Sequence, residues 1–332
     1  MLKIIRKQKH KNSKLLYYIK SFIRYYTPKW CLSRKRLPRM LADLEMEDKD
    51  SILKRVNYYN KLQGVTCMQE NGSILLEEFK LPKKRKGQYA NRTYFFDTYE
   101  YTRYFDGQLR IRTLFGDITD IPSLPSITKS RPIVGENANS VLLNLDKVRH
   151  FTFVKDFRKF AEKKDMLIGR AYVRQPQRIR FWEMYFNHPM CDLGQVNTNY
   201  IHRAEWIKPS ISIDEHLDYK FILCIEGNDV ASNLKWVMSS NSLAVMPRPK
   251  YETWFMEGTL KPDYHYVCIK DDYSDLEEKL TYYINHPDKA QEIIDHAHEY
   301  VAQFRNSKRE ELISLLVLDK YFKKTGQYDS HQ

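Results

Sequence analysis

Acidic side chains are missing from the start of this chain. Residues 1–40 hold 13 Lys and Arg and no Asp or Glu, which leaves 42 basic residues to face all 42 acidic ones in residues 41–332. The formal charge of +13 therefore belongs to the N-terminal arm and the body is neutral, so a basic surface over the whole molecule, as nucleic-acid binding would favour, is not expected. Long apolar runs are missing too. Lys20 interrupts LLYYIKSFI, and no stretch reaches the roughly 18–20 residues that span a bilayer. The start MLKIIRKQKHK carries charge where a secretory signal needs its apolar segment, and together these absences point to the cytoplasm.

Cysteines are few and scattered. Cys31, Cys67, Cys191, Cys224 and Cys268 form no CxxC pair, which argues against a disulfide framework or a zinc site and leaves free thiols as the expectation. GxGxxG, P-loop, GxSxG and HExxH motifs are absent, which counts against a dinucleotide oxidoreductase or a P-loop kinase. His286, His296 and His298 lack the carboxylate or Cys spacing of a metal site, so no metal is expected. What is present is a folding composition: 42% hydrophobic and 14% aromatic residues in 332, enough for two domains each with its own core.

A helix from Ser13 to Tyr26 would place Leu15, Ile19, Phe22, Ile23 and Tyr26 on one face, with Lys20 and Arg24 beside them and Lys14 near the start. Such a basic amphipathic helix suits an anionic membrane interface; packing on its own domain and a nucleic-acid arm are the other readings of the same residues. Asp48 to Leu62 reads as a helix, Gln108 to Phe115 as a strand ending at Gly116-Asp117, and the three prolines from Pro122 to Pro132 as a loop. The run RKFAEKKD, 158–165, marks the preferred boundary. Beyond it strands at Met166–Tyr172, Tyr219–Ile225, Ser242–Met246 and Tyr264–Ile269 alternate with helices at Arg178–Phe186, Val230–Ser239 and Ser274–Asn285, followed by helices from Pro287 and from Ser307. This alternation predicts an α/β fold with a doubly wound parallel sheet. The organisation expected is an arm (1–40), an N-terminal domain (41–157), a C-terminal domain (158–305) and a final helix and tail (306–332).

Four stretches could carry chemistry. CIEGNDVASNLKW, from Cys224, is a strand-to-helix junction in which Asn228, Ser232, Lys235 and Ser239 would share one polar stripe above a helix N-terminus, a setting for pyrophosphate. A capped helix with a solvated Lys is the plainer reading. IGRAYVRQPQRIRFW, from Ile168, is dense in Arg, whose guanidinium binds phosphate bidentately, although Arg178 or Arg180 would also serve as partners of surface acids. LFGDITDIPSLP puts Asp117 just past a strand, where a carboxylate could take a proton from a hydroxyl or simply form a turn. In PKYETWFMEGTLKP, Tyr251, Trp254 and Phe255 could hold a sugar ring or base and Glu252 and Glu257 could bind hydroxyls, or the aromatics could form a plug between domains.

Taken in order, GDITDIPSLPSITKSRPI, IGRAYVRQPQRIRF, YKFILCIEGNDVASNLKWVMSSNSLAVM and YETWFMEGTLKPDYHYVCIKDDYSDLEEKL resemble glycosyltransferase family 90 over residues 110 to about 305. The resemblance implies a GT-B-like fold, two Rossmann-like domains facing a cleft, with the C-terminal domain holding a nucleotide sugar, expected to be UDP-linked in this chain. It also implies inversion at the anomeric carbon, no cofactor and no essential metal. The family's base falls on Asp117, with Asp120 as fallback. Its phosphate-binding basic residue falls on Lys235, and its Arg-Gly appears here as Gly169-Arg170, leaving Arg170 and Arg174 open. Lys129, Arg131, Glu226, Gly227, Asn228, Asp229, Ser232 and Glu257 complete the expected donor site, Glu226 facing a hydroxyl or a neighbouring Arg. The secretory and disulfide features of eukaryotic members are absent, so the chain looks closer to the bacterial branch. That implies a lipid-linked saccharide acceptor of a lipopolysaccharide core or related glycan, met at the inner face of the cytoplasmic membrane through residues 1–40, and no nucleic acid. The rival expectation is a non-catalytic basic-arm protein that binds nucleic acid or membrane.

Overall fold

The computed structural model describes residues 10–28, 37, 39–40, 46–82 and 90–328. The rest of the basic arm and most of the run PKKRKG lie outside the described residues. The chain divides into two units. One holds residues 149–250 and 256–303 with the first residues of the chain; the other holds 13–148, 251–255 and the segment from 304 onward. The boundary expected at 157/158 thus lies within the first unit. The helix Ser307–Lys324, expected as a trailing piece, belongs to the second unit, because its Glu310 takes hydrogen bonds from Arg55 and from the Trp254 indole, each at 2.5 Å.

The first unit is built on five parallel strands: β1 (Lys164–Ala171), β2 (Cys191–Gln195), β3 (Tyr219–Leu223), β4 (Leu243–Met246) and β5 (Val267–Cys268). Their order across the sheet is 5-4-3-1-2. The central strands are continuous apolar runs, as burial on both faces requires: Phe221, Ile222 and Leu223 in β3 and Leu243 to Met246 in β4 are all buried. Helix Pro176–Tyr185 starts on a proline in its first turn and buries Phe181, Trp182 and Tyr185. Helices Leu276–Asn285 and Pro287–Ala302 add Leu280, Ile293 and Ile294 to the same core. Strand β2 was not anticipated, because Asp192, Gly194 and Gln195 break the apolar pattern at this edge of the sheet.

The second unit carries a smaller parallel sheet of three short strands, Thr113–Leu114, Ser126–Thr128 and Ser140–Leu142, with 126–128 in the middle. Two antiparallel pairs join Ile74–Leu75 to Arg110–Ile111 and Ser130–Pro132 to Tyr251–Thr253. The strand expected over 108–115 is interrupted at Arg112, whose N–H is given to the Tyr321 hydroxyl at 3.1 Å instead of to a sheet partner. Helices Met46–Tyr59 and Ala90–Thr102 both pack on Ser307–Lys324, and Lys14–Tyr26 packs on Ala90–Thr102. The fold is mixed α/β with parallel sheets, and the first unit has the doubly wound strand order 2-1-3-4-5.

Candidate active site

Strands β1 and β3 lie side by side, yet the chain leaves them in opposite directions, from β1 outward to β2 and from β3 outward to β4. Ligands of open parallel sheets sit outside the carboxyl ends of the strands at such a reversal. The segments leaving these two ends are 172–175 and 224–233, the two stretches singled out from sequence. Hydrogen bonds tie them together. The Gln175 amide donates to Asn228 Oδ1 at 3.0 Å, and the Gln177 amide donates to the carbonyl of Gly227 at 2.8 Å.

Arg178 is the main tie. Its Nη1 donates to the Tyr172 carbonyl (2.9 Å), its Nη2 to the Ile225 carbonyl (2.9 Å) and its Nε to the Glu226 carbonyl (3.1 Å), so one guanidinium spans both strand exits. Burial pushes it down to about 10, which leaves it a cation at neutral pH. Gly227 is small for this reason: a Cβ there would lie 3.1 Å from Arg178 Nη2. The expectation that Arg178 serves a surface acid is corrected. Its partners are backbone carbonyls, which side-chain identities along a sequence do not reveal.

The helix expected over Val230–Ser239 is a single turn, Leu234–Val237, preceded by bends from Gly227. Hence no extended helix N-terminus faces a ligand, and the four-residue polar stripe does not form. Asn228 and Ser232 are exposed, while Lys235 is fully buried and Ser239 is buried, accepting the Val154 N–H at 2.9 Å. Lys235 Nζ meets Glu257 Oε1 at 2.5 Å with both side chains inside the unit, so the two are brought together, but as a buried ion pair. Asp229 is also buried. Glu226 Oε1 accepts the Lys250 N–H at 3.0 Å, and a neighbouring arginine, Arg178, meets the Glu226 carbonyl.

The two arginines left open by sequence part company. Arg170 turns back along the sheet, giving Nη2 to Asp192 Oδ1 (2.9 Å) and Nη1 to the Asp192 carbonyl (2.7 Å), in a partly buried pair that Lys208 joins at 3.0 Å. Burial opposes the charge on Asp192, but the Lys208 hydrogen bond and the Arg170 guanidinium hold its carboxyl below the usual range. Arg174 lies beyond the strand end, exposed, with no partner among the described residues.

In the second unit, Asp117 follows the strand end and Gly116, whose φ of 129° is readily open only to glycine. Its Oδ1 accepts from Lys129 Nζ at 2.5 Å; Lys129 is buried and the aspartate side chain is 30% exposed. The Ser130 hydroxyl accepts the Ile118 N–H at 3.2 Å, which holds the next residue of this turn. Asp120 is exposed and takes a long 3.5 Å bond from Thr119 Oγ1. Arg131, expected at the donor, is fully buried: its Nε pairs with Glu252 Oε1 at 2.7 Å and its other nitrogens reach the carbonyls of Tyr58, Tyr59 and Ser140. Tyr58 also bonds Glu252. Trp254 stacks on Tyr59 at 3.8 Å and Phe255 lies 4.9 Å from Phe304, so these aromatics pack inside the unit instead of offering open faces. Among the described residues, no group of three His, Cys, Asp or Glu side chains is gathered to hold a metal ion, and no helix is long and apolar enough to cross a membrane.

An α/β sheet whose topological reversal is framed by polar loops, one bearing an exposed arginine, belongs to the broad class of open α/β folds whose ligands bind outside the carboxyl edge of the sheet. Comparison with known proteins narrows the class. Residues 179–324 match the model of Glycosyl transferase family 90. The chain is also 40% identical over 288 residues, 87% of its own length and 86% of the relative's, to the O-glucosyltransferase LpsA of Dichelobacter nodosus. The chain belongs to glycosyltransferase family 90 and is a glycosyltransferase. The matched span takes in Glu226, Asn228, Lys235 and Glu257 but begins after Asp117, Lys129, Arg131, Arg170 and Arg174.

Proposed function

We propose that this glycosyltransferase moves a sugar, with inversion, from a UDP-linked donor to a saccharide hydroxyl of a lipopolysaccharide core or related surface glycan at the inner face of the cytoplasmic membrane. The relative is named as an O-glucosyltransferase, which favours glucose among hexoses and pentoses. The division of labour is that of a GT-B enzyme: the first unit holds the nucleotide and the second supplies the base. Asp117 takes the proton of the acceptor hydroxyl, the oxygen attacks the anomeric carbon, and the bond from that carbon to the diphosphate breaks with the electron pair leaving on the diphosphate.

The observation that carries the reading is Arg174, exposed on the loop that leaves β1 at the reversal of the sheet, next to Gln175, whose amide holds Asn228, and on a loop pair clamped by Arg178. A guanidinium and an amide on these loops would stabilise the charge developing on the leaving diphosphate, the role a metal ion plays elsewhere. Arg174 is preferred to Arg170, which is committed to Asp192. Lys235 with Glu257 is assigned to support of the loop from beneath, and Lys129 to positioning Asp117. A thermal-shift panel of UDP, GDP, CMP and their sugars tests this. UDP forms should raise the melting temperature of the parent and much less that of Arg174→Ala. If no nucleotide moves the parent, the donor assignment fails.

A further inference from the structure

Helix Lys14–Tyr26 has two faces of different chemistry. One is aromatic and packed: the Tyr17 hydroxyl donates to Asp97 (2.9 Å) and to the Thr93 carbonyl (3.2 Å), Phe22 meets Phe96 at 5.1 Å, and Tyr25 meets Phe95 at 5.7 Å and Tyr99 at 5.2 Å. Arg24 pairs with Glu100 at 2.8 Å on the same side. The other face is apolar and open. Leu15, Leu16, Ile19, Ile23 and Tyr26 are 71, 57, 45, 64 and 73% exposed, an uninterrupted strip along the helix and not scattered single residues. Phe22, expected on this strip from the sequence, belongs to the packed face.

We propose that this open strip docks the protein on an anionic lipid surface, with the helix lying in the plane of the membrane. Three observations select that occupant. Thirteen residues give a helix of about 20 Å, short of the ~30 Å hydrocarbon core, so the helix lies on the bilayer and does not cross it. Lys11, Lys14 and Lys20 are exposed on and beside the helix within an arm that carries no acid, which complements lipid phosphates. A second copy of the strip would instead bring those lysines against their own kind, and a nucleic acid would leave the five apolar side chains in water. Because the aromatic face fastens the helix to Ala90–Thr102, docking would fix the orientation of the second unit on the lipid and not merely tether it. The proposal gives the lipid-linked acceptor reading a surface to work on, and in that sense rests on it.

The test is co-sedimentation of the full chain with phosphatidylcholine vesicles, with and without phosphatidylglycerol, in the absence of donor and acceptor. The parent should bind the phosphatidylglycerol vesicles. Ile19→Glu with Ile23→Glu, both exposed, should reduce binding by at least about tenfold while leaving the helical circular dichroism and the UDP thermal shift unchanged. Lys14→Glu with Lys20→Glu should abolish the preference for anionic vesicles. Unchanged sedimentation of the Ile19/Ile23 variant overturns the proposal. So does a parent that runs as a dimer in gel filtration and becomes monomeric in that variant, since a second copy would then be the occupant. The nucleotide panel fails or succeeds independently, so the two readings can be told apart.

Discussion

Each unit holds a lysine and a carboxylate 2.5 Å apart, and the two pairs teach different things. In the first unit Lys235 and Glu257 are both inside; in the second Lys129 is buried but Asp117 keeps 30% of its side chain exposed. A fully enclosed pair has exchanged water for its partner and is held as structure, because breaking it would strand a charge in the interior. A half-open pair holds a carboxylate in place and still presents it to solvent. Burial, not residue type or spacing, separates the two pairs, and it is the ground for the different roles proposed for them.

The largest effect expected is on turnover. Asp117→Asn keeps an acceptor for Lys129 and should preserve folding and UDP binding while lowering transfer by roughly 10²–10⁴; near-parental turnover would remove Asp117 as the base. The enclosed pair should respond in stability instead. Glu257→Gln should cost about 3–5 kcal/mol in urea denaturation, and Lys235→Met with Glu257→Leu should recover most of that loss. If instead Glu257→Gln is stable but loses donor affinity, the contrast between the pairs is wrong. Arg178→Ala should come next, raising the donor KM by about tenfold as the two strand exits slacken, and Arg178→Lys should not rescue it, because a single ammonium nitrogen cannot span the three carbonyls that separate guanidinium nitrogens reach.

The smallest effect separates the units by pH. In the first, burial and then His296 and Lys261 push His265 down to about 4 from 6.5, so the stability gained by keeping it neutral is lost as pH falls through that interval. In the second, burial raises Asp97 from 3.8 to about 6, so its contribution is present at low pH and lost as pH rises through 6. Acidification from pH 6 toward 4 should therefore weaken amide protection around His265 and strengthen it around Asp97 in hydrogen exchange. His265→Gln and Asp97→Asn should flatten the respective responses, and the same sign in both units would refute these assignments.

Much of the fold was legible because its elements are strongly periodic. Helix Ser307–Lys324 begins and ends where the apolar repeat does, and β1, β3 and β4 fall within a residue or two of their apolar runs. The misses have physical causes. β2 is a polar edge strand, and the helix after Gly227 collapses to one turn although Asn228 and Asp229 offered it caps. At the site, the sequence brought forward the loops 172–175 and 224–233 and the turn at Asp117. It could not rank Arg170 against Arg174, because Arg170 is taken by Asp192 on a strand that the pattern concealed.

By itself the sequence determined the chemical inventory: a neutral body with a basic arm, a parallel α/β unit, and family motifs rich in arginine, lysine and carboxylates. Those follow from composition and local periodicity, which each segment carries within itself. Only the tertiary structure decided which charges are spent on each other. It enclosed Lys235 with Glu257 and Arg131 with Glu252, turned Arg170 back onto Asp192, and left Arg174, Asn228 and Asp117 open to solvent. Ion pairing and burial depend on residues far apart in the chain, and that is why no local pattern could have assigned them.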